Sequence, residues 1–343
     1  MSRGRRPVKI LAPVPYVSAG HTPIALVKAL KYDEDEGLDL TIENAVKPAD
    51  AIQGVLDGKG DATFVNTSFC IFYRDRGEPM RSFFGFVARP VRWFAVPQDS
   101  PIKSLADLKG ATIGIDFPDL LNYAKAALAD EGIDTERDVR FETLPMFPIE
   151  KEQLTSAVQS GSIQGLFQYD LNEGFFELAG IRLRRLPDRT LQHLTPASCL
   201  HTNDNNLKAR PDVLTDLGRA VARATLFAIT NPEAAIRHLW RVVPETRPAP
   251  GEETKTLKRD LAILKPRLAN QRRDGSPDPR WGGITAGEFT NWQDILWRSG
   301  GIKARRDPRE YFTDQLIEGF NQFDAKAVVD QALGEAVSAA AIS

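Results

Sequence analysis

Cysteine is scarce, with two in 343 residues, Cys70 and Cys199, far apart and each in apolar surroundings. Neither sits in a C-x-x-C or mixed His/Cys metal spacing, and two buried free thiols are expected rather than a disulfide or a nucleophile. Charge of one sign is missing too: Lys+Arg 44 against Asp+Glu 46 gives a net charge of -2. Without a basic stripe there is nothing to neutralise phosphates, and nucleic acid is not an expected partner. No apolar run is long enough to span a bilayer, so membrane insertion is not expected. The basic start Met1-Ser2-Arg3-Gly4-Arg5-Arg6 leads into Val8 to Val17, which is short, holds Pro13 and Pro15 and reads as a strand. It lacks the apolar core and small-residue cleavage site of a secretory signal. The expected compartment is the cytoplasm, or the periplasm if an export signal lies outside this numbering.

What the chain does have is a junction that occurs four times, each a short apolar strand ending in a polar or aromatic cluster from which a helical pattern starts at once. The clusters are Pro15-Tyr16-Val17-Ser18-Ala19-Gly20-His21-Thr22, Asn66-Thr67-Ser68-Phe69, Asp116-Phe117-Pro118-Asp119 and Gln168-Tyr169-Asp170. In an α/β sheet such junctions lie at the carboxyl ends of strands, where ligands bind and where helix starts present unpaired N–H groups. A small-molecule cleft is the expected site. The strand-and-helix unit from Gly37 to Leu56 recurs from Val139 to Val158; each helix stops at a glycine, Gly58 or Gly161, and each is followed by another strand, Asp61 to Val65 or Gln164 to Phe167. With 343 residues and 42% apolar composition, two facing lobes are expected. Trp93 to Pro97 and Ala197 to His201 read as the two crossings between them, a hinge on which the lobes close. From Asp212 onward the pattern is mostly helical, and Trp281, Trp292, Trp297, Phe312 and Phe320 are expected to pack this tail on the first lobe.

Each candidate ligand contact has a plain structural reading beside it. Thr22 before Pro23 is a good helix cap, and with His21 and Ser18 it would present donors to the cleft. Asn66, Thr67 and Ser68 suit orienting hydrogen bonds or a cap on the following helix. Tyr16, Phe69, Phe117 and Tyr169 would sandwich a flat ligand, with core packing as the competing role, above all for Phe69. Gln168, Asp116 and Asp170 are polar candidates on the second lobe, with Asp119 and Glu173 nearby. Arg89 and Arg92 bracket the first crossing, where they would clamp a carboxylate or form ordinary surface salt bridges.

The stretch His21-Thr22-Pro23-Ile24-Ala25-Leu26-Val27-Lys28-Ala29-Leu30 with Glu36-Gly37-Leu38-Asp39-Leu40, the run SLADLKGATIGI from Ser104 to Ile115, and the tail segments EFTNWQDILWRSGGI and DPREYFTDQLIEGFN resemble the taurine, sulfonate, nitrate and thiamine-precursor substrate-binding superfamily. The resemblance runs from about Val8 to Val329. It implies an α/β chain of the type II periplasmic-binding-protein fold, two α/β lobes joined by a two-strand hinge, with a helical C-terminal tail. On that plan residues 1–94 begin lobe 1, 95–197 form lobe 2, and 198–343 complete lobe 1 and add the tail. It also implies binding of a small ligand, no metal or organic cofactor, and an ABC permease as partner. The second-lobe junction departs from the family's anion binders, which open this helix with small residues. Asp116, Asp119, Asp170 and Glu173 would repel an anion, so a neutral, zwitterionic or amine-bearing heteroaromatic such as an aminopyrimidine is favoured, with an aromatic acid returning if the arginines reach the cleft. Some relatives are enzymes, so a decarboxylase, desulfinase or thiamine-precursor activity stays open as the alternative. The pyrimidine-synthase route is disfavoured, since Phe69 stands where that enzyme has a histidine and the crossing offers only Cys199.

Overall fold

The computed structural model describes residues 4–45, 47–115, 121–144 and 151–340. In chain order the first part runs β1 (Arg6–Ala12), α1 (Thr22–Ala29), α2 (Tyr32–Asp35), β2 (Leu38–Asn44), α3 (Pro48–Leu56), β3 (Ala62–Asn66), α4 (Thr67–Asp75) and β4 (Met80–Val87). The second runs β5 (Arg92–Pro97), β6 (Thr112–Ile115), α5 (Leu121–Asp130), β7 (Arg140–Thr143), α6 (Lys151–Gln159), β8 (Gly165–Tyr169), α7 (Asp170–Leu178) and β9 (Leu183–Arg185). The chain then returns through β10 (Ser198–Asn203) and continues as α8 (Asp204–Ala209), α9 (Pro211–Thr230), α10 (Pro232–Val242), α11 (Glu253–Gln271), α12 (Ala286–Arg298), α13 (Ile317–Phe320) and α14 (Ala325–Ala340).

Among the described residues the strands form two five-stranded sheets, in the orders β2-β1-β3-β10-β4 and β7-β6-β8-β5-β9. In each, the first three strands are parallel, as βαβ connections require, and the fourth is antiparallel to the third. The sequence repeat is visible here: β2-α3-β3 and β7-α6-β8 are matching units, and Gly58 and Gly161 sit at φ 74° and 75°, the left-handed region that a residue without a Cβ enters without strain. The expected crossing strands belong to the sheets themselves. Trp93 to Pro97 lies within β5 of the second sheet, and all but the first residue of Ala197 to His201 lies in β10 of the first. The links proper are the short segments 88–91 and 194–197. They are held together by Ala197 N–H donating to Val87 O at 2.8 Å, Thr67 N–H to Ala197 O at 3.1 Å and Asp170 N–H to Val91 O at 2.9 Å.

The tail does more than cover the first lobe. One apolar cluster joins Cys70 and Ile71 of α4, Ile113 and Phe167 of the second sheet, and Trp292 and Leu296 of α12. Trp292 stands edge-on to Tyr123 of α5 at 5.7 Å and donates from Nε1 to Pro196 O at 3.0 Å. The other large cluster contains Leu171 of α7 alongside Ile24, Leu264 and Leu268. Helices α11 and α7 meet so closely that a Cβ on Gly174 would lie 2.2 Å from Ala262 O. The expectation for the tail aromatics therefore needs correction twice: Trp292 reaches the second lobe, and Trp297 is 46% exposed beneath the Arg305 guanidinium. The stretch from Pro308 to Phe323, within the region whose pattern is mostly helical, holds a single 3-10 turn and the short α13.

Both cysteines are fully buried. Burial pushes the Cys70 thiol up to about 11 and the Cys199 thiol up to about 12, so neither is a thiolate at neutral pH. Native protein at pH 8 is expected to leave both thiols unmodified by iodoacetamide over a period in which urea-unfolded protein gains two labels; one label on the native chain would contradict this assignment.

Candidate functional site

A cavity of about 330 Å³ lies at the ends of β1, β3 and β8, beneath the two links. Its walls are mostly apolar, with Phe64, Phe69, Phe86 and Tyr169 as rings, Val91 and Ala197 from the links, and Val14 beside β1. Polar groups enter from six residues: His21, Lys47, Asn66, Arg92, Ser198 and Arg267.

The loop after β1 sets His21 at the N-cap of α1, over Phe64 with ring centroids 5.3 Å apart and Nδ1 3.5 Å from Ser18 Oγ. Burial, reinforced by the positive charge of Arg267, lowers its pKa to about 3. Near neutrality it is an uncharged imidazole. Asn66 closes β3 and caps α4, its Oδ1 accepting from Ser68 N–H at 3.0 Å and Ser68 Oγ at 2.7 Å. Tyr169 ends β8 as the N-cap of α7, with Arg92 4.7 Å and Arg267 5.0 Å from its ring centroid. Behind it Arg267 donates from Nη2 to Asp170 at 2.6 Å, both side chains being about 2% exposed or less, and Asn270 donates to the other carboxylate oxygen at 3.0 Å. Desolvation pulls the Arg267 pKa down, but Asp170 and Tyr169 together more than offset it and the guanidinium is held protonated.

Of the residues expected at a ligand, His21, Asn66, Phe69 and Tyr169 come together on this cavity, as does Arg92. Others are placed elsewhere. Thr22 is buried and its hydroxyl donates to Ala19 O at 2.7 Å, so it is not the cap; His21 occupies that position without a side-chain bond. Thr67 donates to Pro196 O at 2.5 Å, and Ser68 is spent on Asn66. Gln168 is buried with Oε1 accepting from Asn172 Nδ2 at 3.4 Å. Tyr16 and Ser18 are half-buried and outside the cavity lining, Ser18 touching His21. Arg89 turns to the surface and pairs with Asp274 at 2.8 Å, because it lies in the link while Arg92 begins β5 and is drawn under the cavity. Asp170 is consumed by Arg267, and Glu173 faces outward to Arg185 at 3.2 Å, so neither supplies the anion-repelling charge that the sequence reading assigned to them. Asp116, Phe117 and Asp119 lie outside the described residues.

Sequence reasoning missed Phe64, Phe86, Lys47, Ser198 and Arg267. For Arg267 a signal exists: Thr256, Asp260, Arg267 and Gln271 are all buried on α11 at helical spacing, which marks a polar face turned inward. Among the described residues no group of three His, Cys, Asp or Glu side chains is placed to hold a metal ion.

Two mixed sheets, antiparallel return strands and a cavity at the carboxyl ends of the parallel strands define the type II periplasmic-binding-protein fold, the architecture of ABC-importer substrate-binding proteins. The NMT1/THI5-like family model matches residues 18–235, and the chain belongs to that family. Among solved structures it resembles the periplasmic aliphatic sulphonate binding protein SsuA from Escherichia coli (TM-score 0.66, 16% identity, 90% of this chain and 92% of that one). It also resembles the periplasmic nitrate-binding protein NrtA from Synechocystis PCC 6803 (0.64, 11%, 93% and 89%) and the desulfurization enzyme DSZB (0.55, 13%, 93% and 99%). At these identities the likeness is one of fold. No curated protein matches the chain in sequence.

Proposed function

We propose that this protein is the substrate-binding component of an ABC importer and that it holds a small planar ligand between its lobes for delivery to a membrane permease. The observation that carries this reading is the cavity itself, at the bottom of the size range of small-molecule sites, with four aromatic rings in its wall and a few polar groups among them. On this reading the protein works at the outer face of the membrane that carries the permease; among the described residues no helix is long and apolar enough to cross one. Stacking on Tyr169, with orientation from Asn66, His21 and Ser198, would select flat molecules.

The fold shared with a desulfurization enzyme favours a second reading, catalysis on a bound aromatic compound. Two features weigh against nucleophilic or acid–base chemistry here: the thiols are buried and protonated, and His21 is a poor proton acceptor. Thermal-shift screening against aminopyrimidines, aromatic acids, sulfonates and nitrate, followed by mass spectrometry of each hit after incubation, separates the two readings. A hit recovered unchanged supports transport, and a converted hit supports the enzyme. In calorimetry, Tyr169→Leu is expected to weaken the best hit about tenfold, the worth of one good stacking contact. Unchanged affinity in a folded variant would remove the ring from the site.

A further inference from the structure

Resting on the planar-ligand reading, the charge around the cavity selects among the ligands that reading admits. Four helices start at its wall, since the N-cap residues of α1, α3, α4 and α7 are His21, Lys47, Asn66 and Tyr169, and all four line it. Each start places the positive end of a helix dipole at the ligand position, and at α1, α3 and α7 no side chain caps the first turn. Lys47 adds a cationic side chain to the same wall, where Arg92 and Arg267 also lie, the charge of Arg267 being balanced by Asp170, and no Asp or Glu is among the described lining residues. Asp170, which follows the lining residue Tyr169, is held by Arg267 and Asn270.

We infer that the ligand is an aromatic carboxylate, its ring among Phe64, Phe69, Phe86 and Tyr169 and its charge facing the helix starts and Lys47. A small inorganic anion would leave the apolar walls unfilled, and an amine would meet a positive field. A carboxylate coplanar with its ring keeps the whole molecule flat. This reverses the preference for amine-bearing ligands drawn from the sequence, which rested on acids that two of the four positions do not bring to the site.

Isothermal titration of the full chain with 2-naphthoate, 2-naphthamide and 2-naphthylmethylamine, three probes of one shape and different charge, tests this. The carboxylate is expected to bind at least about tenfold tighter than the amide, as charge-assisted bonds do over neutral ones, and the amine to bind weakest. Nitrate and sulfate at equal concentration should not displace it. Lys47 is exposed, so Lys47→Gln should fold normally, weaken the carboxylate about two- to fivefold and leave the amide unchanged. An amide or amine that binds as tightly as the acid overturns the charge assignment while leaving the planar ligand intact. Displacement by nitrate overturns the aromatic part, and failure of all three probes to bind overturns the planar-ligand reading and this inference with it.

Discussion

Replacing Asp170 with alanine is expected to lower the stability of the protein by about 3–5 kcal/mol, the cost of removing one partner of a buried ion pair. Arg267 would remain almost fully out of water without its carboxylate partner, and the Asn270 amide would lose its acceptor. The pair also ties α7, which follows the second sheet, to α11 in the tail. Around it Leu171 is buried with first-lobe residues, and Gly20 approaches so closely that a Cβ there would fall 2.5 Å from Leu171 Cδ2. Separating α7 from α11 thus strands two charges and wets a leucine worth about 1.5–3 kcal/mol of burial. Urea denaturation of the single variant, and of Asp170→Leu combined with Arg267→Met, distinguishes charge from packing. The double variant should recover much of the loss, because an apolar pair of similar size needs no compensation for desolvation. A single variant within 1 kcal/mol of the parent would mean that water already reaches the pair.

That ion pair also marks the boundary of what the sequence discloses. Strands, helix stops and the two-lobed plan follow from local rules that act over a few residues: apolar runs, the glycines at 58 and 161, and the proline after Thr22. The β2-α3-β3 and β7-α6-β8 units could be read because each contains its own signals. Arg267 and Asp170 are 97 positions apart, and nothing local distinguishes a carboxylate that faces a helix dipole from one that faces a distant guanidinium. Arg89 and Arg92 read as equals for the same reason. Only the start of β5 separates them, sending Arg92 under the cavity and leaving Arg89 in a link with Asp274. Phe64 and Phe86 look like core residues of ordinary strands, and their rings become cavity wall only because the second lobe arrives opposite without filling the gap. Thr22 illustrates the opposite error. A Thr-Pro start is a sound local signal for a helix, and the helix is there, but the preceding turn draws the hydroxyl back to Ala19 O.

Stability should fall steeply as the pH drops below 6.5, before most carboxylates begin to titrate. His21 and His201 are both buried, and burial lowers their pKa to about 3 and about 4; for His21 the Arg267 charge adds to this, and for His201 the Val65 carbonyl at 3.2 Å opposes it. A folded-state pKa below the unfolded value of 6.5 means that the unfolded chain takes up the proton first. The stabilisation is therefore complete above pH 6.5 and lost progressively down to about pH 4 for His201 and about pH 3 for His21. Each pH unit below 6.5 costs about 1.4 kcal/mol per histidine, so roughly 4 kcal/mol is lost between pH 7.5 and pH 5.0 if both stay neutral in the native state. His201 lies outside the cavity, bonded to Ser82 Oγ at 3.0 Å and to Val65 O, and a glutamine there retains a donor and an acceptor. Urea titrations at the two pH values should show the pH-dependent loss cut by about half in His201→Gln. Equal stability of the parent at pH 7.5 and 5.0 would contradict the neutral, buried state of both rings. Ligand affinity itself should show no inflection between pH 5 and 8 from His21, since that ring stays uncharged throughout the range in which the folded protein is the dominant form.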